Sequence, residues 1–292
     1  VRVIEHAVQG RTIRRIVNVG EMVIYERIAR VADWVRETKD AIMPANPPKD
    51  VARVMLEVPH PSLAPLEALV FSPIFARDGR LLTEPGYHAD AGLWLDLPEG
   101  FDLGDVPLEP TPADVAAARS LLLDDLLVDF PFVAPSDRAH AIAAVILPFV
   151  RRLVAGCTPL HLVEAPTEGT GKGFICHAVA IIATGRECDA RTLAPDDNEA
   201  RKMLTSELSA GRPIILLDNA DDRKTLSSPS LASALTAESW TDRLLGTNRM
   251  VTMPNTAVWL LTGNNPKLSM ELARRCVRIR IQSDNDRPHL RT

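Results

Sequence analysis

Residues 160–186 have the sequence LHLVEAPTEGTGKGFICHAVAIIATGR, in which an apolar run, a glycine-containing loop and a second apolar run follow one another. The first run has the length of a strand and the second that of a helix. Backbone N–H groups of a loop in this context can surround phosphate oxygens, and the N-terminus of the helix adds the positive end of its dipole. We therefore predict a phosphate-binding loop in which Gly169, Thr170 and Gly171 form the cradle and Lys172 neutralises the β- and γ-phosphates.

The loop departs at two positions from the pattern G-x-x-x-x-G-K-S/T of phosphate-binding loops. Pro166 stands in place of the first glycine, a mild change because proline can shape the turn that leaves a strand. Gly173 stands in place of the hydroxyl that would bind Mg²⁺, so the metal has to be held through water or by other residues, which favours nucleotide binding over efficient hydrolysis. The alternative is a strand-to-helix turn that binds nothing. The residues expected to contact the nucleotide are Pro166, Thr167, Glu168, Gly169, Thr170, Gly171, Lys172, Gly173 and Phe174.

A second apolar run ends in acidic and amide residues, in the sequence RPIILLDNADD of residues 212–222. Asp218 at the end of this strand is expected to hold Mg²⁺ through water. The next position, which would ordinarily carry a catalytic glutamate, is Asn219, and an amide can orient a water molecule but cannot take its proton. Asp221, Asp222 or a residue of a neighbouring subunit could substitute. Taken alone, Asp218 would be an ordinary strand-end turn residue.

A third strand, within TAVWLLTGNNPKLS, ends in Asn264 and Asn265. A polar side chain that leaves a strand beside the Asp218 strand can contact the γ-phosphate and the attacking water. We therefore predict that these two asparagines sense the state of the nucleotide. Without the other motifs, Asn-Asn-Pro is simply a turn.

Paired arginines follow in the segment ELARRCVRIRI, where Arg274 and Arg275 end a short predicted helix before a strand. Arginines at this place can reach the nucleotide of an adjacent subunit and stabilise charge on the γ-phosphate. The competing interpretation is a basic helix end that complements the helix dipole. Arg278 and Arg280 are expected to alternate outward on the last strand.

In this order the segments resemble the ATPase domain of superfamily 3 and AAA+ helicase-like proteins, in particular the primase-helicase proteins of phages and mobile elements. The resemblance spans about residues 139–287 and implies that EAPTEGTGKG, IILLDN, LLTGNN and LARRCVRIRI are motif A, motif B, the sensor motif and the arginine-finger segment. Between motif B and the sensor, ESWTDRLLGTNRMVTMP looks like the segment that carries a DNA-contacting hairpin. This puts Arg243, Asn248 and Arg249 near single-stranded DNA and leaves Trp240 as a packing residue.

The resemblance implies a ring ATPase, working as a hexamer or another homo-oligomer, that uses ATP and Mg²⁺ to act as a helicase or translocase in replication of a phage or mobile element. Its implied partners are single-stranded or forked DNA and replication proteins such as a primase, since the chain has no primase carboxylate motif of its own. An alternative, based on Gly173 and Asn219, is an assembly or helicase-loader protein that uses ATP as an oligomerisation switch and barely hydrolyses it. A third hypothesis is a small-molecule or nucleotide kinase. No lid-like arginine cluster closely follows the phosphate-binding loop, which argues against it, and Arg186, Arg191 and Arg201 are the residues that keep it open.

Composition and charge limit the other function classes. The chain has 292 residues, 46% of them apolar and 24% charged, and a net charge of −5, which excludes a basic protein that coats nucleic acid with its whole surface. The charge is uneven, because residues 243–292 hold nine basic and three acidic residues while the rest of the chain is acidic. The longest apolar stretch, residues 139–150, contains a proline and is shorter than the roughly 20 residues of a membrane span. We expect no membrane partner.

The four cysteines form no C-x-x-C pair, which disfavours a zinc site or a disulfide framework and favours a cytoplasmic location with reduced thiols. The histidines have no metal-ligand spacing. There is no initiator Met before Val1, so we expect a fragment or processed piece of a longer chain.

The predicted fold is α/β: an AAA+-like P-loop domain with a parallel sheet flanked by helices, preceded by a helical segment and a small β-rich accessory region. Residues 1–50 are expected to form strands and a helix over 22–42, as part of a truncated domain. The β-rich region is expected in residues 51–110, and the helical lead-in with the ATPase domain in residues 111–292. In the accessory region Asp78-Gly79 predicts a hairpin turn and residues 92–97 another strand. Thr111 is predicted to cap a helix over 113–128 that begins at Pro112. Further strands and helices are predicted at 136–153, 160–165, 172–184, 197–210, 213–217, 231–237, 256–262 and 277–281.

Overall fold

In a computed structural model, the chain forms two compact units, Val1–Glu67 and Ala68–Thr292. The structure describes residues 2–8, 11–17, 19–58, 65–220, 223–243 and 250–283. Among these residues, no helix is both long and apolar enough to cross a membrane.

The first unit combines two antiparallel strand pairs with two helices. Its elements are β1 (Arg2–Val8), β2 (Arg11–Val17), α1 (Glu21–Val31), β3 (Val35–Glu37), β4 (Ile42–Pro44) and α2 (Lys49–Glu57). The helix predicted over 22–42 is therefore too long, since α1 ends at Val31 and a short hairpin follows. The indole Nε1 of Trp34 donates a hydrogen bond of 2.8 Å to the carbonyl of Ile28, so one of the carbonyls left free at the helix end has a partner. Residues 51–57, which we expected to be β-rich, belong to α2, where Ala52 is fully buried.

The accessory strands begin at Ala68 and lie in the second unit. They are β5 (Ala68–Val70), β6 (Ile74–Phe75), β7 (Leu81–Leu82), β8 (Gly86–His88) and β9 (Leu93–Leu95). Strands β6 and β7 form the hairpin predicted at Asp78-Gly79, where Gly79 has φ +87°. The strand predicted at 92–97 is confirmed as β9, whose Leu93 and Leu95 are fully buried.

A helical segment leads into the central sheet and consists of α3 (Pro112–Ser120), a π-helical turn (Leu121–Leu126) and α4 (Pro135–Val150). The predicted cap of α3 is confirmed, because the Thr111 hydroxyl accepts the N–H of Asp114 while the Asp114 carboxylate accepts the N–H of Thr111. The helix predicted over 113–128 is wrong in its second half, where the backbone widens into the π-helical turn and the Leu127 N–H bonds five residues back, to Leu122.

The rest of the second unit alternates strands and helices. Its elements are β10 (Leu160–Ala165), α5 (Lys172–Thr184), β11 (Ala190–Arg191), α6 (Asp197–Ser209), β12 (Ile214–Ala220), β13 (Thr225–Leu226), α7 (Pro229–Ala234), β14 (Ser239–Arg243), β15 (Met250–Pro254), β16 (Val258–Asn264), β17 (Lys267–Leu268), α8 (Met270–Ala273) and β18 (Cys276–Arg280). Five of them form one sheet in the order β11-β12-β16-β10-β18, and every pair in it is parallel.

Helices cover both faces of this sheet, as buried parallel strands require. Successive residues of β10 point to opposite faces, so that Val163 packs with α4 and α5 whereas Leu162 packs with α6 and α7. The predicted α/β class with a parallel sheet is confirmed. Because the strands are parallel, the loops after β10, β12 and β16 all leave the sheet at its carboxyl edge, where open α/β sheets bind ligands.

Candidate functional site

Residues 166–171 form a glycine-rich loop between β10 and α5 at the carboxyl edge of the sheet. Gly169 and Gly171 have φ angles of +73° and +107°, a region that L-residues with side chains rarely adopt. Gly171 is also the N-cap of α5, so the open N-terminus of this helix faces the end of the loop. The conformation of the loop thus depends on the two glycines that the sequence pattern singled out.

Lys172 is the first residue of α5 and folds back over the loop. Its Nζ donates a hydrogen bond of 2.9 Å to the carbonyl of Thr167, which also accepts a 2.9 Å bond from the Thr170 hydroxyl. Burial lowers the pKa of Lys172, and the carboxylates of Glu168 and Asp218 oppose this shift. An anionic ligand at the loop would add to the same opposing effect and favour the charged ammonium.

Asp218 lies where β12 leaves the sheet, and a hydroxyl on the neighbouring strand holds its carboxylate. The Thr262 Oγ1 on β16 donates to Asp218 Oδ1 and accepts the backbone N–H of Asn219 at 3.0 Å. Asn219 has φ +60°, and the pairing of β12 with β16 shifts register between Leu217 and Ala220. The chain therefore bulges at the residue expected to be catalytic. Sequence reasoning missed Thr262, although a threonine directly after the apolar run Val258–Leu261 and two residues before Asn264 was a usable signal.

Asn264 ends β16 in register with Ala165, the residue before the glycine-rich loop. Its Oδ1 is buried and, within the described part of the chain, accepts no hydrogen bond. Asn265 has φ +45° and donates its N–H to the carbonyl of Ala165 at 3.2 Å, which ties the end of β16 to the start of the loop. A buried amide oxygen without a partner is costly in the absence of water or a ligand. Asn264 is thus placed to bind a group at the loop.

Close packing against Pro266 explains why the residue between Thr262 and Asn264 is a glycine, Gly263. A Cβ at this position would lie 2.8 to 3.1 Å from three atoms of the Pro266 ring, closer than side-chain carbons approach one another. The proline ring is rigid, so it cannot move aside cheaply. Only glycine lets the chain turn tightly after β16.

Arg274 and Arg275 lie at the opposite edge of the sheet from the loop. The carbonyl of Arg275 accepts the N–H of Leu160, the first residue of β10, at 2.9 Å. The five steps between the six residues of β10, at about 3.3 Å each, separate this edge from the glycine-rich loop by about 16.5 Å. Arg274 is exposed, and the Arg275 guanidinium donates to the carbonyl of Glu271 at 2.6 Å. Neither arginine belongs to the cluster around Lys172 of the same chain.

A two-stranded hairpin of β14 and β15 occupies the segment with the predicted DNA contacts. Arg243 is exposed at the end of β14, whereas Asn248 and Arg249 fall outside the described residues, as do Asp221 and Asp222. The expectation that Trp240 packs is confirmed, because it is 7% exposed and its Nε1 donates to Thr205 Oγ1 at 2.9 Å.

The remaining arginines named from the sequence are engaged in other contacts. The guanidinium of Arg186 lies over the ring of Phe71 at 4.4 Å. Arg191 pairs with Glu207 at 2.9 Å, and Arg201 forms a two-pronged pair with Asp242 at 2.7 and 3.0 Å.

Arg278 and Arg280 point outward on β18 as expected, and each also pairs with a buried carboxylate. Arg278 lies 3.2 Å from Glu164, and Arg280 lies 3.0 Å from Asp137. Both arginines are about half exposed, while their partners are almost fully buried. Their role in the structure is to neutralise these two carboxylates.

Comparison with known proteins adds a distant likeness among solved structures. No protein-family model matches the chain, and no curated protein matches it. Among solved structures, the chain is similar to the A-form apo structure of the NrS-1 C-terminal region, with 17% sequence identity and a TM-score of 0.34. The match covers 62% of this chain and 40% of that one, so the present chain spans less than half of its length. A likeness this distant does not support any statement about function, which has to be inferred from the geometry of the site.

The groups at the carboxyl edge have complementary chemistry. The loop offers an ammonium and the N-terminus of a helix to an anion, while the carboxylate of Asp218 and the amide of Asn264 offer oxygens to a hydrated cation or a water molecule. Phosphates that carry a divalent cation need both kinds of group within a few ångströms. The residues present therefore fit such a ligand, except for the hydroxyl that Gly173 lacks.

Proposed function

We propose that this protein binds ATP and Mg²⁺ at the glycine-rich loop and works as an AAA+-like ring ATPase that acts on DNA as a helicase or translocase. The observation that carries the proposal is the convergence of Lys172, Asp218 and Asn264. Lys172 follows the loop after β10, Asp218 lies on β12 and Asn264 ends β16. These three strands are adjacent, so residues from distant parts of the chain come to the carboxyl edge of one parallel sheet. A sheet of this kind is expected to bind its ligand there.

The residues of the cluster divide the work of phosphate binding. Lys172, released from the carbonyl of Thr167, neutralises the β- and γ-phosphates, and the loop amides and the N-terminus of α5 bind their oxygens. Asp218 holds the hydrated metal, which when bound neutralises phosphate charge. Asn264 uses its unpartnered Oδ1 to orient a water molecule near the γ-phosphate. Arg274 and Arg275, at the far edge of the sheet, would complete the site of a neighbouring subunit.

The DNA-binding part of the proposal is supported by the hairpin and the charge distribution. Arg243 is exposed at the end of β14, and the segment that starts there is the basic part of the chain. Arginine contacts to phosphates would give binding that is independent of sequence and sensitive to salt.

The test compares Lys172→Ala with Lys202→Ala, at an exposed lysine on α6 that pairs with Glu199 on the same helix. We expect wild type and Lys202→Ala to bind a fluorescent ATP analogue with Mg²⁺ and to show ATPase activity that single-stranded DNA stimulates. Lys172→Ala is expected to lose at least tenfold in nucleotide affinity, because the phosphate charge is left without its cation. Arg275→Ala is expected to retain nucleotide binding and to lose hydrolysis. Equal nucleotide affinity in both lysine variants would contradict the proposal.

A second candidate function is an assembly or helicase-loader protein that binds ATP as an oligomerisation switch and hydrolyses it poorly. Two observations favour it: Gly173 provides no hydroxyl, and Asn219 provides no base and sits on a bulge. Sedimentation with and without ATP, together with the turnover rate, distinguishes the two. Nucleotide-dependent assembly without measurable turnover favours the switch, and turnover with DNA unwinding favours the motor. The kinase alternative loses its support, because Arg186, Arg191 and Arg201 are engaged in other contacts.

A further inference from the structure

Thr262 is the one hydroxyl-bearing residue of β16, the strand between the loop strand and the Asp218 strand, and it is 3% exposed. Its hydroxyl has a single hydrogen, which it donates to Asp218 Oδ1, and it accepts the N–H of Asn219 at 3.0 Å. A carboxylate can only accept and a backbone N–H can only donate, so the hydroxyl donates in the first bond and accepts in the second. The hydroxyl holds both the carboxylate and the backbone next to it.

This arrangement leaves the two oxygens of Asp218 in different environments. Oδ1 accepts the Thr262 hydroxyl, whereas within the described residues no hydrogen bond reaches Oδ2. A carboxylate held through one oxygen presents the other in a defined direction, which is how residues around a metal ligand orient it. The bulge at Asn219, at φ +60°, interrupts the pairing of β12 with β16, so the regular strand ladder does not orient Asp218.

We propose that Thr262 is a positioning residue for the metal: it orients Asp218 so that Oδ2 faces the hydrated Mg²⁺. Thr262 lies on the neighbouring strand β16 and acts on the metal through Asp218. The hydroxyl that is missing at Gly173 would instead bind the metal directly. The inference rests on the proposed function, since it requires that Asp218 holds the metal of a bound nucleotide. It differs from a purely structural role, in which Thr262 only satisfies the N–H of the bulge and affects stability alone.

The test measures nucleotide affinity with Mg²⁺ and with EDTA in wild type, Thr262→Val and Thr262→Ser, together with Mn²⁺ binding followed by electron paramagnetic resonance. Valine has nearly the same shape but no hydroxyl, whereas serine keeps the hydroxyl. We expect Thr262→Val to lose about tenfold to a hundredfold of the affinity measured with metal, to keep the affinity measured in EDTA, and to bind Mn²⁺ correspondingly more weakly. Thr262→Ser is expected to stay within about threefold of wild type. Thr262→Cys, which retains a weak donor, replaces the valine variant if the latter does not fold.

A double-mutant cycle separates positioning from structure. If Thr262 acts through Asp218, Thr262→Val has no further effect on metal-dependent affinity in the Asp218→Asn background. An equal loss of affinity with and without metal, or a loss that persists in that background, overturns the inference while leaving nucleotide binding in place. If wild type gains no affinity from Mg²⁺, the proposed function fails and the inference falls with it.

Discussion

Gly173 is the second residue of α5 and departs most from the expected phosphate-loop pattern. A Cβ added there would meet only the ring carbon Cδ2 of His177, at 3.8 Å, which is an ordinary van der Waals contact. Neither space nor a left-handed backbone requires a glycine at this position. The missing hydroxyl is therefore not dictated by packing, and it can be restored by substitution.

We expect Gly173→Ser to increase the Mg²⁺-dependent part of nucleotide affinity by several-fold, since it adds a metal-binding hydroxyl beside the site. The control is Gly173→Ala, which adds the same Cβ without the oxygen. Both variants are expected to raise the free energy of unfolding by about 0.5 kcal/mol, because glycine is the poorer helix former. Calorimetric titration with ADP in Mg²⁺ and in EDTA measures the first effect, and urea unfolding measures the second. If nucleotide affinity depends on Mg²⁺ equally in the serine and alanine variants, the missing hydroxyl does not limit metal binding at this loop.

At the scale of elements, helix α6 links the central sheet to the hairpin of β14 and β15. Asp242 on β14 is 8% exposed and accepts two hydrogen bonds from Arg201 and one of 2.6 Å from Thr205, both on α6. Trp240 on the same strand donates to Thr205. Because these bonds are charge-assisted and mostly buried, they hold the base of the hairpin firmly to the helix.

Asp242→Asn keeps the shape of the side chain and removes its charge. We expect Asp242→Asn to lower the free energy of unfolding by about 2 kcal/mol, since Asp242 is buried whereas its partner Arg201 is about half exposed. DNA binding is expected to weaken because the hairpin is held less firmly, while nucleotide affinity stays unchanged. Asp90→Asn, which breaks an exposed pair with Arg80, serves as the control and is expected to cost much less stability, because water screens the pair. Fluorescence-detected urea unfolding and DNA titration provide the measurements, and equal costs for the two variants would argue against the hairpin anchor.

At the scale of the whole molecule, the core of the second unit contains one unusual polar group, His161 on β10. It is 3% exposed, and within the described residues neither ring nitrogen has a hydrogen-bond partner. Burial, together with the smaller effect of the nearby His140, lowers the pKa of His161 from 6.5 to about 4. The folded state therefore binds a proton here less readily than the unfolded chain does.

This shift makes stability depend on pH in a defined direction. Above pH 6.5 the imidazole is neutral in both states and has no effect, whereas between pH 6.5 and about 4 the free energy of unfolding falls as pH falls, by roughly 3 kcal/mol in all. We expect His161→Leu to remove that part of the dependence, as seen in urea unfolding at a series of pH values. His88→Leu, at a partly exposed histidine whose ring bonds the carbonyl of Glu84, serves as the comparison variant. A His161→Leu curve that runs parallel to wild type from pH 6.5 to 4 would contradict the assignment.

The sequence by itself determined the elements whose signals are local. Strand β10 and helix α5 have the predicted bounds because their apolar runs are long and the glycines and Lys172 between them mark the loop. The Asp78-Gly79 turn and the Thr111 cap were predictable for the same reason. The groups of the candidate site, Lys172, Asp218 and Asn264, could also be named, since each follows an apolar strand.

Only the tertiary structure decided how these elements meet. Strand β16 lies between β10 and β12 although it follows both in the chain, and this order brings Thr262 to Asp218 and Asn264 to the glycine-rich loop. It also puts Arg275 at the opposite edge of the sheet from Lys172. Which strands become neighbours depends on how the helices bury both faces of the sheet. The local preferences of the residues do not encode this pairing.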